Sequence, residues 1–376
     1  MRSLFFKCLN KIENMIIPMH FKRLDWPIIV CSVSLIAIGL LSLYSSSVGK
    51  ADFLNFKKQV IFALAGITLI FLVSLIDWRI LRNQPYLITI MYIFGCLSLA
   101  GLFFFAPEVR AVKGWYRIGP LSIDPVEFTK IVLVLLLAKY FSIRHVEVYR
   151  IRHILYSGLY ILVPSILLFF QPNMGQVLIL VALWLVILLV SGIKIKTFSA
   201  IILVLLLFLA LGWSVILKDY QKERIASFIL PQLEPLGAGW SRTQAKIAIG
   251  SGGLLGQGFM HGSQTQYGFL PEVQTDFIFS AIAEEFGLLG ISVVFLLFLI
   301  VIWRIIKISI KSQTNFPRLF TVGFVILLFS QIFIHIGMNL GILPIIGIPL
   351  PLVSYGGSNL ILTCIGLGIV QSVKSH

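Results

Sequence analysis

Charge is what this sequence has least of. Asp, Glu, Lys and Arg make up only 12% of its 376 residues, against roughly 25% in soluble chains. So few charges cannot clothe a water-exposed globular domain, and no segment has the composition of one. Acidic residues are the scarcer sign, 15 against 30 Lys plus Arg, which leaves a net charge of +15. Cysteine is nearly absent: Cys8, Cys31, Cys96 and Cys364 are too few and too scattered for a disulfide framework or a zinc site. Three of the four fall in apolar runs, where a thiol packs as a small hydrophobe. No internal repeat is evident either, so a transporter built from inverted repeats has no positive support.

What the chain does have is hydrocarbon-compatible sequence, 58% hydrophobic with a mean hydropathy of +0.98. Apolar runs long enough to cross a hydrocarbon layer of about 30 Å fall at 27–46, 59–76, 86–106, 126–143, 154–170, 174–191, 197–217, 276–303, 319–340 and 355–373. The expectation is an all-α polytopic membrane protein with ten transmembrane helices. A basic tail at 1–26 precedes a single membrane domain at 27–376. The basic residues sit between the runs, as loop anchors do, which argues against nucleic acid as the partner of the positive charge. With the N-terminus inside, Arg79, Arg82, Lys139, Arg144, Lys194, Lys196, Arg304 and Lys307 all fall on the cytoplasmic side. Both termini are then cytoplasmic. The polar stretches 107–130, 171–176, 218–276 and 341–359 all fall outside, and any chemistry belongs there.

Four of these stretches carry candidate residues. In 113–130, Pro125 followed by Val126 and Glu127 reads as a helix start. Lys130 shares a face with Glu127 three residues earlier and needs a partner in an uncharged span. Gln171 to Gln176 reads as a tight turn capping the next helix. The segment 218–275 is far longer than a connector requires, and is expected to fold onto the membrane surface. It offers Arg224, Arg242 and Lys246 as phosphate-binding cations, and a run at Gly250–Gly253 that suits close approach to an anion. Thr275 and Asp276 then read as an N-cap and a first-turn acid, although Asp276 lies level with Glu127 and Lys130 at the outer ends of their spans. Glu284 and Glu285 follow inside an apolar run and read as packing or partner-coupled groups. In 335–359, three prolines and five glycines imply irregular backbone at membrane depth, tolerated only where it is buried in protein or lines a cavity. His335 and Asn339, four apart, suit interhelical hydrogen bonding.

Three of these segments, IAIGSGGLLGQGF, GSQTQYGFLPEVQTDFIFSAIAEEFGLLG and HIGMNLGILPIIGIPLPLVSYGGSNL, resemble the signature of the SEDS family (shape, elongation, division and sporulation). The resemblance runs from Asp25 to the C-terminus. It implies ten transmembrane helices and a glycosyltransferase that polymerises lipid II, the undecaprenyl-pyrophosphate-linked disaccharide-pentapeptide, outside the cytoplasmic membrane. It also implies a class B penicillin-binding protein transpeptidase as partner. The form GIPLPLVSYGG and the GSQTQ…FLPE spacing resemble the elongation branch more than the division branch, which brings in the elongation machinery. By position, the family's essential aspartate is Asp276, and the glutamate and lysine of its fourth span are Glu127 and Lys130. The chain departs from the family at Trp115-Tyr116-Arg117 and at Asn173, where the usual acid is missing.

The mechanism that follows makes Asp276 the general base. Lys130, Arg224, Arg242 and Lys246 are the candidates to compensate the departing pyrophosphate, Lys130 foremost, with a divalent cation (Mg or Mn) as another source of that charge. Glu127 positions Lys130. No metal-ligand set is assigned. The competing readings are a lipid II flippase, which needs polar groups through the membrane depth, and a non-catalytic scaffold.

Overall fold

The computed structural model describes residues 21–84, 86–107, 114–119, 121–144, 151–215 and 238–376. Arg224 and most of the basic tail lie outside the described residues. The rest is largely helical. Among the described residues, six helices are long and apolar enough to cross a membrane: Trp26–Lys50, Leu54–Leu75, Leu87–Phe105, Ile151–Phe170, Ile278–Lys311 and Asn315–Asn339. Met174–Val190 and Ile195–Leu207 are shorter apolar helices. Pro125–Ile143 is long enough, but Glu127, Lys130 and Lys139 interrupt its apolar character. Gly357–Ser375 is diluted by Asn359, Thr363 and Gln371.

Pro125–Ile143 is the innermost helix. Fifteen of its nineteen residues are buried, so its polar groups meet protein rather than lipid. It packs chiefly against Asn315–Asn339 and Leu87–Phe105. The strongest pairing joins Leu54–Leu75 to Gly357–Ser375. There Gly66 lets the Cys364 sulfur approach to 2.9 Å of where a Cβ would sit, and Gly368 does the same for Val73. Between helices in lipid, such close backbone approach is a main source of attraction, because burying apolar surface gains little.

One departure from the all-α expectation lies before the innermost helix. Tyr116–Ile118 and Leu121–Ile123 pair antiparallel, with Tyr116 opposite Ile123. Gly119, at φ +58°, supplies the left-handed residue a tight hairpin turn requires. The Tyr116 hydroxyl ties the hairpin down by donating to the Ser98 carbonyl at 2.6 Å.

The segment before Ile278 is folded as well. Ala238–Ser251 forms a helix, and Ala245, Leu270, Val273, Phe277 and Ala281 make a small apolar core of their own. Its glycines do something the sequence reading did not foresee. Helix Ile278–Lys311 is broken at Gly287, whose φ is +63° and ψ −161°. The polar groups freed by the break are taken up by the glycine-rich loop. Gln257 N–H donates to Glu284 O (2.9 Å) and Gly258 N–H to Glu285 O (3.1 Å); Leu288 and Leu289 N–H donate to Gly253 O and Leu254 O. A Cβ on Gly256 would lie 2.1 Å from Glu285 O. Within the run read as an anion site, a Cβ on Gly252 would lie 2.0 Å from Ala283 O, so the close approach there is to the chain's own helix. The amides after Gly256, beyond that run, repair the helix break, as backbone at membrane depth must.

The two adjacent glutamates part company here. Glu284 is fully buried and caps the short helix Ser263–Gln266, accepting from Gln264 N–H (2.6 Å), Thr265 N–H (3.0 Å) and the Thr265 hydroxyl (2.8 Å). Glu285 accepts from the Ser45 hydroxyl, and from Gln266 Nε2 at 3.4 Å. Both hold the loop to the helices, which fits the packing role expected of them.

Candidate functional site

Asp276 lies two residues ahead of its helix rather than inside it. The helix begins at Ile278 with Phe277 in the capping position, so Thr275 is not the N-cap. Its hydroxyl donates instead to Glu272 O (3.3 Å), while the N–H groups of Thr275, Asp276 and Phe277 all converge on that same carbonyl. Glu272 itself is held at φ +42°, a left-handed conformation that costs a non-glycine residue energy. The helix-capping account of Asp276 therefore fails. Its half-buried carboxylate sits on a turn pinned from three sides.

Asn339, at the end of Asn315–Asn339, is the first pin. Its amide donates to the Asp276 carbonyl (2.9 Å) and to His335 O (2.8 Å), and its oxygen accepts from Ser280 N–H (3.2 Å) and Oγ (2.6 Å). The interhelical role read from the sequence is thus present for Asn339, whereas His335 bonds the irregular segment after its helix, at Ile348 O. The second pin is the irregular segment 340–356, in which the Ser354 hydroxyl donates to Thr275 O and Tyr355 N–H to Gln274 O, each at 2.8 Å. The third is Gln274, whose side chain accepts from Asn55 (2.8 Å) and reaches Ser46 and Ser47 (3.3 Å).

The same segment touches Arg242 and Lys246, and the helix that follows it reaches the cap of the helix carrying Glu127 and Lys130. At its start Arg242 donates to Gly341 O (2.7 Å), and Lys246 flanks the same glycine, where a Cβ would lie 2.6 Å from both side chains. In its middle, Gly347 (φ +68°) brings bare backbone to the Asp276 carboxylate, 3.6 Å from Oδ2 to a notional Cβ. His335 Nδ1 holds the next residue through Ile348 O at 2.8 Å. Beyond its end, Ser358 Oγ accepts from the Asp124 N–H (2.9 Å). Asp124 in turn caps the innermost helix, its Oδ1 accepting from Val126 N–H at 2.9 Å.

On that helix Glu127 and Lys130 form an ion pair at 2.7 Å, with Lys130 0% and Glu127 5% exposed. A lysine in such surroundings requires its carboxylate, and the i,i+3 spacing supplies it. Asp124, just outside the span, is pushed up to about 7, chiefly by burial and further by the Glu127 carboxylate; the Val126 N–H and Lys130 oppose the shift.

Sequence reasoning did not single out Asp124, Gln274 or Ser354. An Asp-Pro pair opening an apolar run is a legible cap-plus-first-turn signal for Asp124. Gln274 acts through contacts more than 200 residues away and Ser354 through one 79 residues away, which no local pattern announces. Among the described residues, no three His, Cys, Asp or Glu side chains converge as a metal site would require.

Comparison with known proteins gives this arrangement a context. The family model for the FtsW, RodA and SpoVE cell cycle proteins matches residues 25–376. The peptidoglycan glycosyltransferase MrdB of Escherichia coli K12 is 34% identical over 355 residues, 94% of each chain. A probable peptidoglycan glycosyltransferase FtsW of Geobacter metallireducens is 32% identical over 368 residues, covering 95% of this chain and 96% of the other. A chain from a peptidoglycan synthase complex, described as structurally coordinating polymerization and crosslinking, aligns with a TM-score of 0.79 at 29% identity. That alignment covers 93% of this chain and 97% of the other.

Proposed function

The chain belongs to the FtsW/RodA/SpoVE family and is a multi-pass membrane peptidoglycan glycosyltransferase; we propose that it polymerises lipid II at the outer face of the cytoplasmic membrane. The observation that carries this reading is the irregular segment 340–356. It holds the Asp276 turn through Ser354 and meets the Arg242–Lys246 pair at Gly341, and Ser358 at the start of the next helix bonds Asp124, the cap of the helix of Glu127 and Lys130. In the proposed topology ten helices span the membrane as one domain from residue 27 onward, both termini are cytoplasmic, and this stretch faces outward.

In the proposed reaction Asp276 takes the proton from the 4-hydroxyl of the acceptor's GlcNAc. The oxygen forms a bond to the anomeric carbon of the growing chain's MurNAc, and the bond from that carbon to the pyrophosphate breaks. Undecaprenyl pyrophosphate leaves with the electron pair. A positioned base of this kind contributes about 10²–10⁴-fold. The pinning of residues 274–276 serves that role, because a base must be held within hydrogen-bond reach of the proton it removes. Lys130, fixed by Glu127, and the Arg242–Lys246 pair supply positive charge for the pyrophosphate. The described residues offer no group of three His, Cys, Asp or Glu side chains that would hold a divalent cation.

A class B penicillin-binding protein is the proposed partner, in keeping with the synthase complex that contains the aligned chain. Relatives named for both branches align at similar identity. The motif GIPLPLVSYGG supports assignment to elongation and rod-shape maintenance. Lipid II supplied to the purified chain with its partner tests the activity: glycan strands of many disaccharides are expected, and translocated but unpolymerised lipid II would indicate a transporter instead.

A further inference from the structure

The helices that bring Asp276 to one end of the bundle build a different feature at the other. Beyond its break at Gly287, helix Ile278–Lys311 runs on through residues 288–311, roughly 36 Å at 1.5 Å per residue and enough to cross the hydrocarbon. Its far end therefore lies across the membrane from Asp276. There a cavity of about 230 Å³ is lined by Asp25, Arg304, Lys307, Lys311, Ser312 and Lys374, with Ile308 and Val373 as its apolar floor. Asp25 is its one carboxylate, and it is committed. Arg304 grips it through Nε at 2.9 Å and a terminal nitrogen at 2.6 Å, and the Asp25 main chain exchanges two hydrogen bonds with Gln371.

That pairing cancels one positive charge and leaves three. Among the described residues no carboxylate pairs with Lys307, Lys311 or Lys374; Lys307 lies 5.2 Å from the Trp303 ring. Exposed Trp303 lies against the lining residues Arg304 and Lys307, and exposed Trp26 follows Asp25 in the chain; tryptophans in such positions mark the depth of lipid headgroups. We propose that this cavity binds the phosphate of an anionic phospholipid headgroup, with Lys307, Lys311 and Lys374 as its ligands and the Asp25–Arg304 pair as its rigid wall. The apolar floor suits the glycerol end of a lipid, and basic pockets between transmembrane helices are suited to such headgroups. The site is separate from the glycosyltransferase reading and rests only on the helix ends lying at headgroup depth.

The test is a titration of the full chain in zwitterionic detergent with short-chain phosphatidylglycerol, phosphatidylcholine or inorganic phosphate, read as Tm. Phosphatidylglycerol is expected to raise Tm and phosphatidylcholine to leave it unchanged. The triple variant Lys307→Gln, Lys311→Gln, Lys374→Gln is expected to bind about 100-fold more weakly, at about fivefold per lysine. The corresponding three Lys→Arg changes should retain the response. Should the triple variant not fold, Lys374→Gln alone should cost about fivefold. A rise in Tm with inorganic phosphate through the same lysines would support the phosphate chemistry and identify a soluble source. The proposal is overturned if neither phosphate source stabilises the wild type. It is equally overturned if the Gln variants respond as the wild type does, or if Lys194→Gln with Lys196→Gln abolishes the response as fully.

Discussion

The side-chain amide of Asn339 donates to the main-chain carbonyl of Asp276 at 2.9 Å, while its oxygen accepts from Ser280 one helical turn onward. One fully buried side chain thereby sets the angle at which the Asp276 turn enters its helix. Asn339→Ala removes both contacts and leaves buried polar groups unmade, at about 1–3 kcal/mol each. A displacement of the carboxylate by about 1 Å is enough to cost on the order of 10²-fold. Polymerisation should fall by about 10–100-fold in a variant that still folds, measured as glycan formed per enzyme. Full turnover by Asn339→Ala would separate the clamp from the chemistry.

The buried pair of Glu127 and Lys130 predicts a non-additive cycle. Lys130→Met or Glu127→Gln alone leaves one charge without its counterion, at a cost of about 3–5 kcal/mol. The double variant leaves none, and should be more stable than either single one. Denaturation in detergent reads the cycle; additive losses would show that the two side chains act independently.

The repaired helix break predicts that two glycines in one loop differ in importance. Gly256→Ala drives a Cβ to 2.1 Å from Glu285 O at φ +83°, whereas Gly268, at φ +73°, has nothing within 4 Å. Gly268→Ala should cost about 1 kcal/mol for its backbone conformation alone. Gly256→Ala should cost several times that, because backbone must move. The two Tm values decide it, and equal losses would contradict the packing described.

The sign of one pH effect follows from Asp124. Its carboxyl stands at 3.8 ordinarily and about 7 in the folded chain, raised first by burial. The folded state therefore holds a proton that the unfolded state releases between these values. Stability from this group is complete below about pH 4 and is lost as pH rises toward 7. Asp124→Asn keeps a capping side chain and should flatten the dependence of Tm on pH in that window. An unchanged slope would assign the dependence to other groups.

Much of the fold was legible because a membrane imposes long apolar runs, and each expected run overlaps a helix, several of which extend past it, as Leu54–Leu75 and Ile278–Lys311 do. The ion pair of Glu127 and Lys130 was legible too, since a lysine in an uncharged span demands a partner one turn away. The glycine run misled because close backbone approach was read as room for a ligand, when the neighbour is the chain's own broken helix at Gly287. Thr275–Asp276 misled through a local capping pattern that Glu272, three residues before Thr275, overrides by collecting the same amides. The clamp of Ser354 on Thr275 and the pairing of Asp25 with Arg304 span 79 and 279 residues. Nothing within a window of sequence contains them.

The most direct test is the polymerisation rate of Asp276→Asn, which keeps the size and hydrogen bonding of the side chain and removes its basicity. With the purified partner present and folding confirmed by an unchanged Tm, glycan synthesis from lipid II should drop by about 10²–10⁴-fold. Glycan strands made at the wild-type rate by that variant would contradict the assignment of Asp276 as the base.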